Sequence, residues 1–376
     1  MDGAIKVAVV QGDRRRGAVA QALALIADDA RDAAAQSDSA VIVPTLDALG
    51  RGWASTDRDA LSAAADALLA AGAGSLEVVA GKGSAGPNAS TCFDRLGYRS
   101  ELSGRAVSFH DLDAETNAWT RLPGGEGEGG EELRVSTRAL ESRCRVSLSI
   151  PRTHGVFRLG LGLPSLGAVV HPEDRRRLFE PRSPVGAVPA RAVPILSLLE
   201  SWRGWMARAW LSVRSLGGGM RLTGSERRRL DGVERAIRAL STLAAALAPR
   251  ISVIDGFSGM GGEGPEMGRR LRLGTVIAGA DPVAVDAVAA AIMGFDPLDV
   301  AYLRSAQAMG LGVADLAAIT IVGEPWSQVR RKCRRHSLDR MLRLASASTQ
   351  AGAVPARRPH FGYRRRRPSA RWSTRS

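Results

Sequence analysis

Short apolar runs alternate with helical patterns over the first hundred residues. The runs AIKVAVVQG, SAVIVPTL and SLEVVAG predict three strands, because each is brief and apolar on both faces. Between them lie an alanine-rich helical pattern over about 17–35 and the segment STDRDALSAAADALLAAGA, for which Ser55 or Thr56 is the expected N-cap and Gly72 the stop. Short connections between such elements predict a parallel sheet, and right-handed crossovers make it doubly wound.

The same alternation returns in the second half of the chain. RISVIDG, LGTVIAGA and AAITIVGE read as strands, and residues 225–249 carry a long helical pattern that stops at a proline. DPVAVDAVAAAIMG predicts a helix with Asp281 as N-cap, and DPLDVAYLRSAQAMGLG repeats that device. The expected fold class is α/β, with a mostly parallel, doubly wound sheet and helices on both faces, in one large domain or two closely packed lobes.

The middle of the chain interrupts this alternation. After a short helix near 92–98 and a strand at 106–110, PGGEGEGGEE reads as a flexible loop or linker. A strand pair around 133–137 and 145–150 and a proline-rich loop region over 151–194 follow. These observations predict an N-terminal lobe over 1–122, a linker over 123–132, a C-terminal lobe over 133–324 with a helical insertion at about 195–248, and a tail over 325–376.

A tryptophan-rich helix is predicted within the insertion. In ILSLLESWRGWMARAWLSVRSL one apolar stripe carries Trp202, Trp205 and Trp210. Such a stripe can lie on a membrane surface, but a core or dimer-interface helix is the simpler interpretation. No apolar run reaches about 18 residues without charge, so we expect no transmembrane segment. Because the basic cluster of MDGAIKVAVVQGDRRR follows the apolar stretch, the start does not resemble a secretory signal, and we expect a cytoplasmic protein.

The net charge of +14 is concentrated at one end of the chain. Residues 330–376 hold 15 of the 52 basic residues and a single acidic one, Asp339, so the rest of the chain is neutral. The composition of RRPHFGYRRRRPSARWSTRS predicts disorder. Its arginines and interleaved Phe361, Tyr363 and Trp372 could contact nucleic acid or an acidic surface in a salt-dependent way. A solvated extension without a specific role is the simpler alternative.

The cysteines show no metal-binding spacing. Cys92, Cys144 and Cys333 lie far apart without a C-x-x-C pair, and no H-E-x-x-H occurs. We therefore expect reduced thiols and no iron–sulfur cluster. The sequence leaves any other cofactor or metal unknown.

A glycine-rich loop, IDGFSGMGGEGPEMG, follows the strand RISVIDG. Its glutamates would repel a phosphate, no lysine and hydroxyl end the glycine run, and a strand rather than a helix follows, so it is not a phosphate cradle. It fits a tight turn whose backbone approaches another segment closely. Glu263 and neighbouring carboxylates could then hold a cation or accept a proton.

Individual acidic and histidine positions suggest further site residues. Asp255 stands at the carboxyl end of a strand, where open α/β sheets place ligand groups. Asp286 interrupts a helix that is apolar on all sides, so it must be paired, hydrogen-bonded or shifted in pKa, and a structural partner is the favoured explanation. Capping alone explains Asp281. His154 could be a general base or a metal ligand, although an isolated histidine is more often a polar contact.

The run from ISVIDGFSGMGGEGPEMG to ITIVGE resembles the C-terminal half of the domain of unknown function 362 family, with its D-G…G-x-G-P…D-x-x-A-V-D pattern. The elements STDRDALSAAADALLAAGA, DRLGY and SIPRTHG are similar to the amino half, so the resemblance covers about residues 5–324. It implies an α/β fold and an unassigned enzymatic role. The ferredoxin-type cysteines of some members are absent here.

The chain departs from the family pattern at three motifs. IVPTL stands in place of a K-P-N motif, Arg152 replaces the lysine of K-T-H, and Pro164 and Ser165 replace the lysine and asparagine of K-N. Two of the three expected lysines are therefore missing. At the third position Arg152 keeps the positive charge but carries it on a planar guanidinium instead of a compact ammonium group. Either the ligand differs, or Arg152 and residues 175–177 substitute for the lysines, or catalysis is lost.

Two functional hypotheses follow. In the first, the protein binds a small anionic ligand or a metal at the sheet edge, with the reaction unknown. In the second, it is a catalytically lapsed relative that acts as a binding or scaffold protein. The first expects Asp255, Glu263, Asp286, Arg152 and His154 in one pocket, with Asp286, His154 and Asp255 as the catalytic candidates. The remaining ligand-binding candidates are Thr153, Gly261, Gly262, Gly264, Pro265 and Asp281.

Overall fold

The computed structural model describes residues 4–81, 87–115, 118–124, 132–179, 224–339 and 341–343. The strands are β1 Lys6–Gln11, β2 Ser39–Pro44, β3 Ser75–Ala80, β4 Val107–Asp111, β5 Trp119–Leu122, β6 Leu133–Ser136, β7 Cys144–Ser149, β8 Arg152–His154, β9 Arg158–Gly160, β10 Ile251–Asp255, β11 Gly259–Gly261, β12 Arg269–Leu271, β13 Thr275–Gly279 and β14 Thr320–Gly323. The α-helices are α1 Arg15–Ala24, α2 Ala27–Ala34, α3 Arg58–Ala70, α4 Ala89–Arg95, α5 Tyr98–Glu101, α6 Thr137–Glu141, α7 Gly162–Ser165, α8 Pro172–Leu178, α9 Gly224–Leu247, α10 Pro282–Ile292 and α11 Ala301–Ala308. Short 3₁₀ helices cover Gly52–Ala54, Leu166–Val169, Pro297–Asp299 and Leu316–Ala318.

Eight of the described strands form the main sheet, in the order β14-β1-β13-β10-β7-β2-β3-β4. All neighbouring pairs are parallel except those of β13, which runs antiparallel to both β1 and β10. A four-stranded sheet, β12-β11-β8-β9, and the two-stranded β5-β6 pair complete the described strands. The expected α/β class with a mostly parallel sheet is confirmed.

Helices cover both faces of the main sheet. Alternate residues of β1 enter opposite cores: Val7 and Val9 pack on one side, and Ala8 and Val10 on the other. The first face carries α9, α10 and α11, and the second carries α1 to α4. Burial on both faces explains why the strands are continuous apolar runs rather than alternating ones.

Three local predictions differ from the structure. The helical pattern over 17–35 is divided into α1 and α2. The cap of α3 is Asp57, which accepts from the Asp59 N–H, because the expected cap Thr56 instead donates its hydroxyl to the Leu148 carbonyl at 2.8 Å. The strands near 133–137 and 145–150 are present as β6 and β7 but are not partners, since β6 pairs with β5 and β7 lies in the main sheet.

The order of the main sheet contains one reversal. From β2 the chain runs outward through β3 and β4, and then returns to β7 on the opposite side of β2. Parallel open sheets form a crevice at the carboxyl ends of strands on either side of such a reversal. The loops that follow β2 and β7 are therefore the expected position of a binding site.

Residues 331–339, which we name the C-terminal strap, pack on the body of the protein. The Arg331 and Cys333 N–H groups donate to the carbonyls of Ile292 and Met293 at 2.7 and 3.1 Å, and the Gly262 N–H donates to the Arg334 carbonyl at 2.8 Å. Asp339 pairs at 2.9 Å with Arg158, whose side chain is 2% exposed. The structure thus differs from the expectation that the tail begins at 325, because the apolar Cys333 and Met341 are buried despite the surrounding arginines.

Other expectations fall outside the described residues. They are residues 125–131 of the linker, the helix with Trp202, Trp205 and Trp210, and residues 344–376, so the tail's nucleic-acid contacts and the tryptophan-helix dimer stay predictions. Within the described ranges, no helix has the length and apolar character needed to cross a membrane.

Two truncations should separate the strap from the rest of the tail. Removal of 344–376 should change the midpoint of thermal unfolding by less than about 2 °C, because its composition predicts no packed structure. Removal of 331–376 should lower the midpoint by roughly 5 °C or more, because it leaves buried Arg158 without its carboxylate partner. Calorimetry of the two proteins checks this, and equal midpoints would contradict a structural role for the strap.

Candidate functional site

A cavity of about 130 Å³ lies at the carboxyl edge of the main sheet. Its lining comes from segments that follow four strands: Thr45 after β2, Gly81 after β3, Arg152 after β7 and Pro265 after β10. Residues 160–168 form a further wall. The cavity therefore occupies the crevice that the strand order predicts.

The glycine loop lies directly against β8. Met260 pairs with Arg152 as parallel strand neighbours, and the Met260 N–H donates to the Pro151 carbonyl at 2.9 Å. A Cβ on Gly264 would overlap the Thr153 carbonyl oxygen, so only glycine fits there. The Thr153 hydroxyl donates to the Gly262 carbonyl at 2.8 Å. The close backbone approach expected from the sequence is thus made to the strand that carries Arg152 and His154.

Glu263 faces away from this cavity lining and towards the strap. Its carboxylate accepts from the Ser337 N–H at 3.1 Å and from the Ser337 hydroxyl at 2.7 Å. Nε2 of His336 lies 3.5 Å from the same carboxylate. Gly261 is packed against Cys333, whose Sγ would lie 2.9 Å from an added Cβ. Glu263 and Gly261 therefore join the glycine loop to the strap, whereas Pro265 and Glu266 reach the cavity.

Arg152 brings a positive charge into the cavity without an ion partner. Its one hydrogen bond within the described part of the chain is a long one, 3.5 Å from Nη2 to the Ala54 carbonyl. The nearby Asp47 carboxylate is held by Arg51 at 2.8 Å. Burial lowers the pKa of Arg152, an effect that Arg51 increases and that Asp47 and Glu266 oppose. A guanidinium stays charged at neutral pH, so this partly exposed charge is attracted by two carboxylates but forms no ion pair within the described residues.

His154 is a neutral side chain with a defined hydrogen-bonding pattern. Burial lowers the pKa of His154 to about 3, with Arg152 adding to the effect. Nδ1 accepts from the Val156 N–H at 3.1 Å, which leaves the proton of the neutral ring on Nε2. The geometry favours His154 as a hydrogen-bond donor through Nε2 over the general-base role considered from the sequence, because a base would need the unprotonated nitrogen free.

Arg175 adds a second guanidinium to the cavity wall. It is 6% exposed, and Nη1 donates to the Gly167 carbonyl at 3.3 Å. Of the arginines at 175–177, which were expected to replace the missing lysines, Arg175 lines the cavity and the other two are exposed.

Asp286 lies behind the cavity wall. Its carboxylate accepts from the N–H groups of Gly162 and Leu163 at 2.7 and 3.0 Å, and from the Tyr302 hydroxyl at 3.0 Å. Burial raises the pKa of Asp286 to about 7, although these three donors favour the ionised form. The expected structural partner is thus the first turn of α7, and through it Asp286 positions the wall that contains Pro164 and Ser165.

Two further acidic candidates serve other parts of the fold. Asp255 pairs with Arg15 at 2.9 Å and also accepts from the Phe257 N–H. Burial raises the pKa of Asp255 to about 6, an effect that Arg15 opposes. Asp281 caps α10 by accepting from the Val283 N–H at 2.9 Å. The structure therefore brings Arg152, His154 and Pro265 to one cavity but does not place Asp255, Asp281 or Asp286 in its lining.

Several cavity residues were not predicted from the sequence to belong to the site. Thr45, Pro164 and Ser165 line the cavity, and each was noted only as a departure from a family motif. Together with Arg152 they show that all three departures from the family motifs lie in one cavity. These departures were the one feature of the sequence that could have indicated the cavity residues. Phe157 and Phe179 also line the cavity, and no motif indicated them. Among the described residues, no group of three or more His, Cys, Asp or Glu side chains is arranged to hold a metal ion.

Comparison with known proteins gives one family and a distant structural likeness. A family model described as "Domain of unknown function (DUF362)" matches residues 42–291. The lactate racemase apoprotein from Thermoanaerobacterium thermosaccharolyticum is similar over 77% of this chain and 57% of that chain, with 12% identity and a TM-score of 0.43. This chain thus spans little more than half the length of that structure. No curated protein matches the chain.

Two nearby arginines provide a matched test of the uncompensated charge. Replacing Arg152 with Met should leave the thermal midpoint unchanged or raise it, because the cation that is removed forms no ion pair within the described chain. Replacing Arg158 with Met should lower the midpoint by roughly 5 °C or more, because Asp339 loses its buried partner. Calorimetry in buffer without added anions measures both, and a large loss for Arg152→Met would show that this arginine stabilises the fold.

A second test concerns the protonation of Asp286. Between the unfolded value of about 3.9 and the folded pKa of about 7, the folded protein holds a proton that the unfolded chain has lost. The stability contributed by Asp286 is therefore present at low pH and is lost as pH rises through 7. The midpoint of thermal unfolding should therefore be measured by calorimetry for the wild type and for Asp286→Asn at several pH values. The difference, wild type minus variant, should fall from pH 4.5 to 7 and then level off.

Tyr302→Phe supplies the control for this test. Without the hydroxyl donor the ionised carboxylate is less stable, so the decline should extend to higher pH than in the wild type. A midpoint difference between wild type and Asp286→Asn that is constant with pH would contradict the raised pKa.

Proposed function

Since the chain belongs to the family described as domain of unknown function (DUF362), whose name assigns no activity, we propose from its cavity that it binds a small anion, with Arg152 as the anchoring charge. The observation that supports this proposal is a guanidinium that lines a cavity and forms no ion pair within the described chain. Burial of an unpaired charge costs free energy, and a bound anion would return it. Sites that bind ligands commonly retain such unfavourable arrangements in the free protein.

The neighbouring arginines support this role by contrast. Arg15, Arg51 and Arg158 each have a carboxylate within 3 Å. Each of these side chains therefore stabilises the fold by an internal pair. Arg152 differs because it lines the cavity and has no ion pair within the described residues.

His154 supplies a neutral donor beside this charge. Once Nδ1 has accepted from the backbone, Nε2–H is the remaining donor of the ring, and it has no acceptor among the described residues. A ligand oxygen between Arg152 and His154 would receive a charge-assisted bond and a neutral one. Because the pKa of His154 is lowered to about 3, its state does not change near neutral pH.

The size of the cavity limits the ligand. Typical small-molecule pockets have volumes of about 300–1,000 Å³, and this one has about 130 Å³. The ligand is therefore an anion of few heavy atoms.

Anion titrations of the full chain test the proposal. In a thermal-shift panel of sulfate, phosphate, formate and acetate at constant ionic strength, at least one anion should raise the midpoint of the wild type, and that rise should be absent in Arg152→Met. Arg121→Met, a change at an exposed arginine paired with Glu132, is the control and should keep the rise. If no anion shows a rise that depends on Arg152, the proposal fails.

The pH dependence gives an independent check. Arg152 stays charged and His154 stays neutral from pH 5 to 8, so the affinity for an anion of constant charge should vary by less than about threefold over that range. Calorimetric titration measures this. A steep loss of affinity between pH 6 and 7 would indicate a protonated histidine in the site.

A further inference from the structure

A buried acidic side chain lies directly behind the cavity wall. Leu46 and Ala48 line the cavity, whereas the Asp47 side chain between them is fully buried. Its Oδ2 accepts from the backbone N–H groups of Leu49 and Arg51 at 3.1 and 3.0 Å. These two bonds hold the carboxylate beside the cavity independently of any side-chain partner. A negative charge in this position opposes the binding of an anion.

The guanidinium of Arg51 compensates this charge. Its Nε and Nη2 donate to the two carboxylate oxygens of Asp47 at 2.9 and 2.8 Å. Nη2 also donates to the Glu266 carbonyl at 2.7 Å, and the central guanidinium carbon lies 5.0 Å from the centre of the Trp53 ring. A two-point ion pair, a ring contact and a bond to the glycine loop therefore fix Arg51 against Asp47.

Both members of this pair act on the anchoring charge of the cavity. Burial lowers the pKa of Arg152, whereas Asp47 and, less strongly, Glu266 raise it and Arg51 lowers it further. Asp47 and Arg51 are therefore within electrostatic range of Arg152 and act on it with opposite signs. At an effective dielectric constant of about 20, a unit charge about 10 Å away changes a binding constant by roughly tenfold.

We infer that Arg51 sets the affinity of the cavity for an anion by neutralising Asp47, without contacting the ligand itself. This inference rests on the proposed anion-binding function and adds a residue that controls it. It concerns ratios of affinity between variants that differ by one charge in the same surroundings. The contributions of the other charged groups around the cavity therefore cancel from each comparison.

Calorimetric titration of the full chain near neutral pH tests the inference. Sulfate, phosphate, formate and acetate are the separate probes, at constant ionic strength and to about 50 mM, because ligands of few atoms bind weakly. Arg51→Met should lower the affinity for a bound anion by about tenfold, because Asp47 loses its counter-charge. Asp47→Asn should raise that affinity by about threefold or more, because Arg51 then carries an unpaired positive charge. The double variant should return to within about threefold of the wild type.

The opposite signs separate this charge effect from a structural role of the pair. If the pair only joined the loop after β2 to the glycine loop, both single variants would weaken binding and the double variant would stay weak. Asp66→Asn is the control, because Asp66 pairs with Arg16 and Arg105 at 2.9 and 2.8 Å outside the cavity lining. This control should keep the affinity within about threefold of the wild type.

The midpoint of thermal unfolding reports which variants are folded. Asp47→Asn keeps an oxygen acceptor for the two backbone N–H groups, so it tests the inference by itself if Arg51→Met does not fold. If an anion binds in a manner that Arg152→Met abolishes, but Asp47→Asn weakens its binding or leaves it unchanged, the inference is overturned and the anion site stands. If no anion binds in a manner that depends on Arg152, both are overturned.

Discussion

The contact between the backbone of the glycine loop and β8 is the constraint on which the site depends. Gly259 and Gly264 lie so close to the carbonyls of Pro151 and Thr153 that no Cβ can be added at either position. This contact fixes β8 on one side of the loop, so that Arg152 and His154 reach the cavity. On the other side of the loop, the Gly262 N–H and the Glu263 carboxylate hold the strap. The loop therefore supports the site through its main chain. Its carboxylates Asp255 and Glu263 belong to the scaffold, whereas Glu266 lines the cavity.

A second close approach fixes the opposite wall. A Cβ on Gly162 would overlap the hydroxyl of Ser252 and crowd the Asp286 carboxylate, so helix α7 begins directly on this buried acid. Two backbone N–H groups of its first turn then satisfy Asp286. The backbone N–H groups at the start of the short buried helix α7 must find acceptors. This requirement explains why the otherwise apolar helix α10 contains a carboxylate, Asp286. Both walls are thus set by glycine backbones against polar groups of the main body.

The apolar runs and caps were sufficient to predict the layers of the fold, because strands buried on both faces and Asp-Pro helix starts have clear local signals. The direction of β13 and the partner of β6 were not predictable, since an apolar run carries no information on orientation. Asp57 caps α3 because Thr56 is engaged by the distant Leu148 carbonyl, which no local pattern reveals. The packing of the strap was not predicted, because a segment with so many arginines and so few apolar residues has the composition of a disordered tail. In the site, the glycines of the loop predicted its contact with β8. The predicted grouping of Asp286 and Asp255 with this loop in one pocket was not found, because Asp286 accepts hydrogen bonds from the backbone of α7 and Asp255 pairs with Arg15.

The departures from the family pattern bear on whether the cavity still has a function. Thr45, Arg152, Pro164 and Ser165 stand at motif positions and all line the same cavity. If the site had simply lapsed, nothing would retain a desolvated guanidinium that costs free energy in the empty protein, and an apolar side chain at 152 would be the more stable choice. Instead the chain keeps Arg152 in the cavity, with Arg175 and Glu266 in the same lining. Under the proposed function, this pattern argues for a change of ligand and against the loss of binding.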